Sequence, residues 1–258
     1  MKYSIKNIAI ETAKKGGRIL RERFYKIHKV NRKDSQQSIV TDADFASEKA
    51  MIQVIKECFP THSILSEESG KTTTTENKYL WIIDPLDGTA NYASGNPYFS
   101  VSVAIQHNGE TIVGVTHNPV TGELFIAERG KGTTYNGRKT RVSKTTDPEN
   151  AIICVDWNHY KGGGREEARD ILYEVGKKVR RVLSYGSGVL AASHVAVGIF
   201  DAYFNIQSHP WDHAAASLIV QESGGEATTS DGRKQVGLTN SVLVSNGKIH
   251  SYLLKLLR

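Results

Sequence analysis

The sequence has no long apolar run. Its longest apolar stretches, such as Trp81 to Ile83, are far shorter than the roughly 20 residues that a transmembrane helix requires. The first residues, Met1 to Lys6, lead directly into an amphipathic pattern, without the apolar segment and small-residue cleavage site of a secretory signal. We therefore expect no membrane partner and a cytoplasmic location.

Cysteine is scarce as well. The chain of 258 residues contains 2 cysteines, Cys58 at the end of a predicted helix and Cys154 in a predicted strand. They show no metal-ligand spacing and are too few for a disulfide framework. We expect both to be buried thiols.

Dense clusters of positive charge are also missing, although the formal net charge is +6. This charge predicts attraction to anions, which include nucleic acids, acidic surfaces and phosphorylated metabolites. The basic residues are dispersed, and the densest groups, Arg18 to Arg23 and Lys177 to Arg181, are typical of solvated helix faces or helix ends. Because no recognised nucleic-acid motif accompanies them, the sequence does not favour a nucleic-acid partner.

The composition, 39% hydrophobic and 23% charged residues, is typical of a folded globular protein. Apolar residues recur at helical spacing in residues 4–25 and 41–59. Residues 99–143 alternate strands with turn residues, which predicts an antiparallel meander. From about residue 148 strands and helices alternate, which favours an α/β layer. The sequence therefore predicts an α+β N-terminal portion, residues 1–147, layered with an α/β C-terminal portion, residues 148–258.

The most informative segment is Asp84-Pro85-Leu86-Asp87-Gly88-Thr89, which follows the predicted strand Tyr79 to Ile83. It places two carboxylates three residues apart, directly after an apolar strand. Hard divalent cations such as Mg2+ prefer oxygen ligands, and a few carboxylates together with a substrate phosphate commonly hold them. The Gly-Thr pair adds a small residue and a hydroxyl where a phosphate and an attacking water could lie. The alternative is structural: an Asp-Gly turn that ends the strand.

Acidic residues at strand ends and helix starts come from four separate segments. They are Asp44, Glu67, Asp84, Asp87 and Asp212. Each also has a structural interpretation: Asp44 can complete a capping box with Thr41, Glu67 can be a solvated loop acid, and Asp212 can cap a helix predicted for residues 212–223. Several buried acids that converge would be prohibitively costly without a cation, so together they indicate a metal site.

The sequence resembles the inositol monophosphatase family of metal-dependent phosphatases. The resemblance is carried by Asp84 to Thr89 and by Pro210-Trp211-Asp212-His213-Ala214-Ala215, with Ser66-Glu67-Glu68-Ser69 upstream and Gly224-Gly225 downstream. It extends over nearly the whole chain, and the two main motifs are about 125 residues apart in this order. The resemblance implies a layered αβαβα sandwich of the inositol monophosphatase and fructose-1,6-bisphosphatase type.

The resemblance also implies a set of metal ligands. Glu67, Asp84 and the carbonyl of Leu86 would hold a first Mg2+, and Asp84, Asp87 and Asp212 would hold a second. A third, weaker ion would lie near Glu67, and Mn2+ is a possible substitute. Two ions a few ångströms apart can clamp the attacking and leaving oxygens of a phosphoryl transfer.

Catalytic and phosphate-binding roles follow from the same resemblance. Thr89, hydrogen-bonded to Asp44, would orient or deprotonate the attacking water together with Glu67. The phosphate would lie against the backbone amides of Gly88 and Thr89 at a helix start, where free N–H groups favour an anion. Lys33 matches a family lysine near the phosphate and the third metal.

The substrate is less well defined. Gly186-Ser187-Gly188 falls where members of the family contact sugar or cyclitol hydroxyls. The resemblance implies that Asp87 and Asp212 also contact the substrate. Asn205 falls where inositol-specific members commonly have Glu. Loss of that carboxylate removes a charge-assisted acceptor for a ring hydroxyl, which puts strict inositol specificity in doubt but leaves the phosphatase chemistry intact.

Other catalytic motifs are not supported. Ser69-Gly70-Lys71-Thr72, at the start of a polar loop predicted for residues 70–77, resembles the end of a Walker A loop, but Leu65 stands where that motif needs glycine. Asp42-Ala43-Asp44 opens a helix and does not end an apolar strand, so an aspartyl-phosphate intermediate is not expected. The histidines show no zinc spacing, and no Gly-x-Ser-x-Gly elbow surrounds Ser187.

The sequence therefore predicts a Mg2+-dependent phosphomonoesterase that acts by direct water attack, with inositol 1-phosphate as the default substrate. Alternatives within the superfamily are fructose 1,6-bisphosphate, histidinol phosphate, NADP and 3'-phosphoadenosine 5'-phosphate. An alternative of another class is an RNA- or protein-binding regulatory protein on the same fold. The family resemblance also implies a homodimer and inhibition by lithium.

Overall fold

The chain folds into alternating layers of helices and sheets. A computed structural model describes residues 4–26, 30–32, 39–72, 78–156, 164–234 and 237–257. The described elements, in chain order, are α1 (Ile5–Arg23), β1 (Val30–Arg32), β2 (Ile39–Thr41), α2 (Asp42–Cys58), β3 (Ser63–Ser66), β4 (Gly70–Thr72), β5 (Tyr79–Asp87), α3 (Thr89–Ala93), β6 (Ser100–His107), β7 (Glu110–Asn118), β8 (Glu123–Glu128), β9 (Gly132–Tyr135), β10 (Arg138–Lys139), β11 (Ile152–Val155), α4 (Gly164–Gly176), β12 (Arg181–Leu183), α5 (Gly188–Val195), β13 (Ala202–Asn205), α6 (Ala214–Gln221), β14 (Glu226–Thr228), β15 (Val242–Ser245) and α7 (His250–Leu256).

The first sheet has eight strands in the order β10-β9-β8-β7-β6-β5-β3-β4. Strands β5 to β10 pair antiparallel, so the predicted meander is confirmed. Strand β3 pairs in parallel with β5, with Ser66 opposite Ile83. The ends of these two strands, where the acids of the two motifs begin, therefore lie at the same edge of the sheet. Residues Gly70–Thr72 form strand β4 against β3, which corrects the loop predicted there, and residues 73–77 lie outside the described residues.

Helices α1 and α2 cover one face of this sheet. Ile8 and Leu20 of α1, with Met51 and Ile55 of α2, pack on apolar strand residues such as Trp81 in one buried cluster. Burial of each such side chain contributes about 1.5–3 kcal/mol. The two helices approach closely at Gly16, where a Cβ atom would lie only 2.8 Å from the Met51 sulfur. This close packing fixes α2, which carries Asp44, over the sheet.

The second sheet has five strands in the order β12-β11-β13-β15-β14. The first three are parallel and the last two are antiparallel additions. Helices α5 and α6 pack between the two sheets, in a cluster that joins Phe125 of β8 to Tyr203 of β13. On its other face the second sheet carries α4 and α7, through Val175 and Leu253. The layered αβαβα sandwich is confirmed.

Several boundaries differ from the sequence-based expectations. Asp212 does not begin α6; it ends a 3-10 turn, Pro210–Asp212, that precedes the helix. The reason is local, because the Asp212 carboxylate accepts a hydrogen bond from the backbone N–H of His209 at 2.7 Å and closes that turn.

Cys154 is buried as expected, whereas Cys58 is only partly buried. The division into two portions at residue 147 stays a prediction.

Across the described ranges, no helix combines the length and apolar character that a membrane crossing requires.

Candidate active site

Strand β5 ends in the turn that carries the acidic hexapeptide. Asp84 is 1% exposed, and its Oδ1 accepts a hydrogen bond from the Leu86 N–H at 2.9 Å. The pairing of β5 with β6 shifts register between Asp84 and Asp87, a bulge that breaks the regular ladder. Asp84 therefore points into the protein at the end of a buried strand, held by the turn that follows it.

Gly88 joins this turn to the short helix α3. Its φ of 96° lies in the left-handed region, which favours glycine. A Cβ atom here would also lie 3.0 Å from the carbonyl oxygen of Gly186, on the segment before α5. Glycine is thus needed for both its conformation and the close approach of two backbone segments.

Helix α2 supplies Asp44, which is fully buried at its first turn. Asp44 Oδ1 accepts the hydroxyl of Thr89 at 3.1 Å, the hydrogen bond that the family resemblance implied. Asp44 Oδ2 accepts the backbone N–H and the hydroxyl of Thr41, at 2.8 and 2.6 Å. The capping box considered as an alternative is therefore present together with the Thr89 contact, one oxygen serving each.

Glu67 lies in the turn between β3 and β4 and is partly buried. Glu48, on α2, accepts hydrogen bonds from both residues that flank Glu67, Ser66 and Glu68. Glu48 was not identified from the sequence. A usable signal was present, because Glu48 follows Asp44 by four residues and so lies on the same face of a helix.

Asp87 reaches across to the beginning of α5. Its Oδ2 accepts the hydroxyl of Ser187 at 2.5 Å and the Val189 N–H at 2.9 Å, and its Oδ1 accepts the Gly188 N–H at 3.0 Å. Ser100 donates a further bond at 3.1 Å. Burial raises the pKa of Asp87 to about 6, against the lowering effect of the hydroxyl bonds. Asp87 thus bonds directly to the segment that the resemblance assigned to substrate.

Four of the predicted acids are electrostatically coupled. Burial raises the pKa of Asp84 well above its usual value, and the negative charges of Glu67, Asp87 and Asp212 raise it further, in that order. The 3-10 turn that carries Asp212 packs against β5 and β6. The structure therefore brings four carboxylates, from three segments of the chain, together at the buried Asp84.

The donor set fits a hard divalent cation, since it consists of carboxylate oxygens, and a cation would offset the mutual repulsion around Asp84. In the described part of the chain, however, no three His, Cys, Asp or Glu side chains are arranged so that they could hold a metal ion. Asp87 bonds to the start of α5, and Asp212 bonds to the His209 N–H. The assignment of individual ligands stays a prediction.

The predicted substrate residues of the second half of the chain lie at the start of α5 and at the end of β13. Ser187 is buried and Gly186 is exposed. Asn205 is 2% exposed at the end of β13, where its Oδ1 accepts the Gln207 N–H at 3.0 Å. Lys33 lies outside the described residues. The roles of these residues toward a substrate stay predictions.

A further acid, Asp156, was not identified from the sequence. It follows β11, and its Oδ1 accepts the Ser184 hydroxyl at 2.9 Å. Its Oδ2 is inaccessible and has no hydrogen-bond partner in the described part of the structure. Burial raises the pKa of Asp156 to about 7, opposed by the Ser184 bond and aided by the charge of Asp87. Asp156 therefore bonds to the beginning of the segment between β12 and α5, and Asp87 bonds to its end.

Comparison with known proteins identifies the family to which this chain belongs. The sequence model described as the inositol monophosphatase family matches residues 1–258. The chain is 36% identical to an inositol-1-monophosphatase of Caulobacter vibrioides over 253 residues, 96% of this chain and 99% of the relative. It is also 32% identical to the Nus factor SuhB of Escherichia coli over 256 residues, 98% of this chain and 95% of the relative.

Solved structures agree with the sequence relatives. An inositol monophosphatase from Anabaena (Nostoc) sp. superposes with a TM-score of 0.86 at 35% identity, covering 98% of this chain and 94% of the other. An inositol monophosphatase/NADP phosphatase complexed with Mg2+ and phosphate superposes with a TM-score of 0.81 at 26% identity, covering 93% and 89%. Members of this fold thus include a protein solved with the ion and the anion that the acidic site was predicted to bind.

Proposed function

The chain belongs to the inositol monophosphatase family, and from this premise we propose that it is a Mg2+-dependent phosphomonoesterase. It would hydrolyse the monophosphate ester of a small polyol or sugar by direct attack of water, without a covalent intermediate. The observation that carries the proposal is the convergence of Glu67, Asp87 and Asp212 on the buried Asp84. Such a group of acids is costly to bury without a cation to offset its charge.

Glu67, Asp84, Asp87, Asp212 and the Leu86 carbonyl are the residues that would hold two or three divalent cations, with Mn2+ as a substitute for Mg2+. When bound, the cations would polarise the phosphoryl oxygens and lower the pKa of a water molecule at the site. The carboxylates themselves would fix where the ester must lie.

Thr89 and Asp44 would prepare the attacking water. The Thr89 hydroxyl donates to Asp44 at 3.1 Å, so its oxygen retains lone pairs that can accept a hydrogen bond from water. Asp44 is fixed in turn by the Thr41 N–H and hydroxyl. This chain of contacts supports a role for Thr89 in orienting the water, with Glu67 as the group that receives its proton.

The ester itself would lie between the two halves of the molecule. Its phosphate would contact the N–H groups of Gly88 and Thr89, with Lys33 nearby, and its alcohol portion would face Gly186, Ser187 and Gly188. The bonds from Asp87 to Ser187 and Gly188 support this placement, because they join the acidic turn to the alcohol side of the site.

Inositol 1-phosphate is the substrate we propose first. Asn205 offers an amide where a carboxylate would bind a ring hydroxyl more strongly, so the other esters of the superfamily belong in the same assay: fructose 1,6-bisphosphate, histidinol phosphate, NADP and 3'-phosphoadenosine 5'-phosphate. We also propose a homodimer, inhibition by lithium and a cytoplasmic location.

The experiment is phosphate release from this panel by the purified protein, with Mg2+ and with a chelator. We expect release from at least one ester in Mg2+ and none with the chelator. Absence of release from every ester in Mg2+, or release that the chelator does not reduce, would contradict the proposal.

A second candidate function is a regulatory role through RNA or protein binding. The observation that favours it is the 32% identity to a protein named as a Nus factor, together with the net charge of +6. Salt-dependent RNA binding measured alongside the ester panel separates the two functions. Binding with a steep salt dependence and no turnover would support the regulatory function, and turnover without RNA binding would support the phosphatase alone.

A further inference from the structure

One face of α2 contacts two segments of the candidate active site. Asp44, Ser47 and Glu48 lie on this face and are all buried. Asp44 binds the Thr89 hydroxyl, and the Ser47 hydroxyl donates to the carbonyl oxygen of Pro85 at 2.9 Å. Glu48 binds the turn between β3 and β4. A single rigid helix therefore fixes the acidic hexapeptide and the Glu67 turn relative to each other.

Glu48 makes an unusual concentration of contacts. Its Oε1 accepts the Ser66 hydroxyl, the Glu68 N–H at 3.2 Å, the Ser69 N–H at 3.0 Å and the Ser69 hydroxyl at 3.2 Å. The side chain belongs to a residue that is only 6% exposed. Because Oε1 bonds to residues on both sides of Glu67, Glu48 can affect the position of Glu67 without contacting it.

The turn that Glu48 holds is the one that sets the position of Glu67. In the parallel pairing of β3 with β5, Ser66 lies opposite Ile83, so the next residues along each strand, Glu67 and Asp84, are adjacent at the sheet edge. Glu48 fixes the residue before Glu67 and the two residues after it. Few conformations of the turn are compatible with all of these bonds, and they place the Glu67 backbone beside Asp84.

We propose that Glu48 is a positioning residue for the divalent cation, because its hydrogen bonds to Ser66, Glu68 and Ser69 hold Glu67 beside Asp84. The inference rests on the proposed function, since it presupposes that Glu67 is a metal ligand. The rival explanation is that Glu48 only stabilises the hairpin of β3 and β4. The two explanations differ in whether metal affinity depends on Glu48 beyond its effect on stability.

The test is calorimetric titration of the purified full-length protein with Mn2+, with the midpoint of thermal unfolding measured in a chelator. The variants are Glu48→Ala, Glu48→Gln and, as the matched control, Ile55→Ala on the same helix. Ile55 is fully buried in the core and lies about two helical turns beyond Glu48 on α2. Ile55→Ala is expected to lower the unfolding midpoint and leave the Kd for Mn2+ unchanged.

Glu48→Ala is expected to weaken Mn2+ binding about 10–100-fold, the usual effect of removing a group that orients a metal ligand. Glu48→Gln should weaken it less, because its amide oxygen can still accept the same bonds, and it provides the measurement if Glu48→Ala does not fold. In the ester assay, both variants should raise the Mg2+ concentration for half-maximal activity more than they lower kcat at saturating Mg2+.

A Kd within about twofold of wild type in the folded Glu48 variants, or an equal weakening in Ile55→Ala, would overturn the inference. If the wild-type protein binds no Mn2+, the proposed function fails first and the inference fails with it. If wild type binds Mn2+ and only the Glu48 result is negative, the proposed function stands and this inference alone is rejected.

Discussion

Asp87 and Ser187 are 100 residues apart in the chain, yet the Ser187 hydroxyl donates to the Asp87 carboxylate at 2.5 Å. Asp87 ends a strand of the first sheet, and Ser187 precedes α5, which packs between the sheets. The bond therefore connects the acidic turn with the helix layer that separates the two sheets. Any change that loosens it should affect both stability and the alcohol side of the site.

Ser187→Ala tests this connection. Loss of a hydroxyl that bonds to a charged group should lower the free energy of unfolding by about 1–3 kcal/mol and raise KM for the ester more than it lowers kcat. Urea unfolding and steady-state kinetics measure the two effects. Ser94→Ala is the control, because that exposed hydroxyl bonds to the nearby Asn91 carbonyl on its own short helix. Equal effects of the two variants would show that the Asp87 contact has no special importance.

Asp212→Asn should abolish ester hydrolysis but preserve the fold. The amide oxygen can still accept the His209 N–H, whereas one negative charge near Asp84 is removed. We expect activity to fall by at least about a hundredfold and the unfolding midpoint in a chelator to stay the same or rise. Asp87→Asn should lose activity similarly, and Asp170→Asn, on the exposed face of α4, serves as the control. Full activity of Asp212→Asn in saturating Mg2+ would reject the site.

Local patterns were sufficient to predict part of this site. Asp84 and Asp87 follow an apolar strand, and Asp44 opens a helix with its capping partner Thr41, so neighbouring residues identify them. Glu48 and Asp156 were missed because their contacts are distant in sequence: Glu48 binds residues 18–21 positions later, and Asp156 binds a hydroxyl 28 positions later. Only the packing of the layers brings these partners together.

In the fold, too, local patterns predicted some elements and missed others. Helix α1 and the meander from β6 to β10 were predicted from periodicity, because each has an apolar face that repeats along the sequence. Strands β14 and β15 and helix α7 were not predicted. Strand β14 is three residues long and pairs antiparallel with β15 at the edge of the second sheet. Its position depends on that pairing, which the sequence of so short a strand does not specify.

Asp156→Asn should remove a pH dependence of stability. The folded pKa of about 7 exceeds the ordinary value near 3.8, so between these values the folded state binds more protons than the unfolded state. As the pH rises from about 4 to about 7, the protein therefore loses stability through Asp156, by up to about 1.4 kcal/mol per pH unit. Above about pH 7 the effect of Asp156 on the free energy of unfolding no longer changes with pH. The charge of Asp87 and the neutral Tyr203 and Cys154 side chains, which share this region, stay in the variant.

Urea unfolding of both proteins in a chelator, from pH 4.5 to 8, measures this effect. The difference in unfolding free energy between Asp156→Asn and wild type should grow in favour of the variant up to about pH 7 and then level off. A difference that stays constant over the whole range would show that Asp156 titrates normally.

Thr89→Val and Thr89→Ser separate the hydroxyl of Thr89 from its shape. Valine keeps the volume but cannot donate to Asp44, so hydrolysis should fall about 10²–10⁴-fold, while Thr89→Ser should retain most activity. The Thr89 hydroxyl also lies 3.2 Å from the Leu86 carbonyl oxygen, a proposed metal ligand, so Mn2+ affinity by calorimetry should fall in Thr89→Val, but by much less than hydrolysis does. If Thr89→Val weakens Mn2+ binding in proportion to its loss of activity, the role in orienting water is wrong.

Gly88→Ala should be more damaging than its conformation alone explains. Gly88 and Gly95 both have positive φ, 96° and 78°, and alanine in the left-handed region costs roughly 1–2 kcal/mol. A Cβ atom at Gly95 meets nothing within 4 Å, whereas at Gly88 it lies 3.0 Å from the Gly186 carbonyl oxygen and 3.1 Å from Ser187 Cβ. The contact at Gly88 is with backbone, so an added Cβ atom would force the acidic turn to move away from α5. This movement would also lengthen the bonds from Asp87 to Ser187 and Gly188.

We therefore expect Gly95→Ala to lower only the unfolding midpoint, and Gly88→Ala to lower it further and to reduce kcat/KM as well. Thermal unfolding and ester kinetics on the two variants distinguish these effects, and equal losses in both would mean that the close approach of the two segments has no part in the activity.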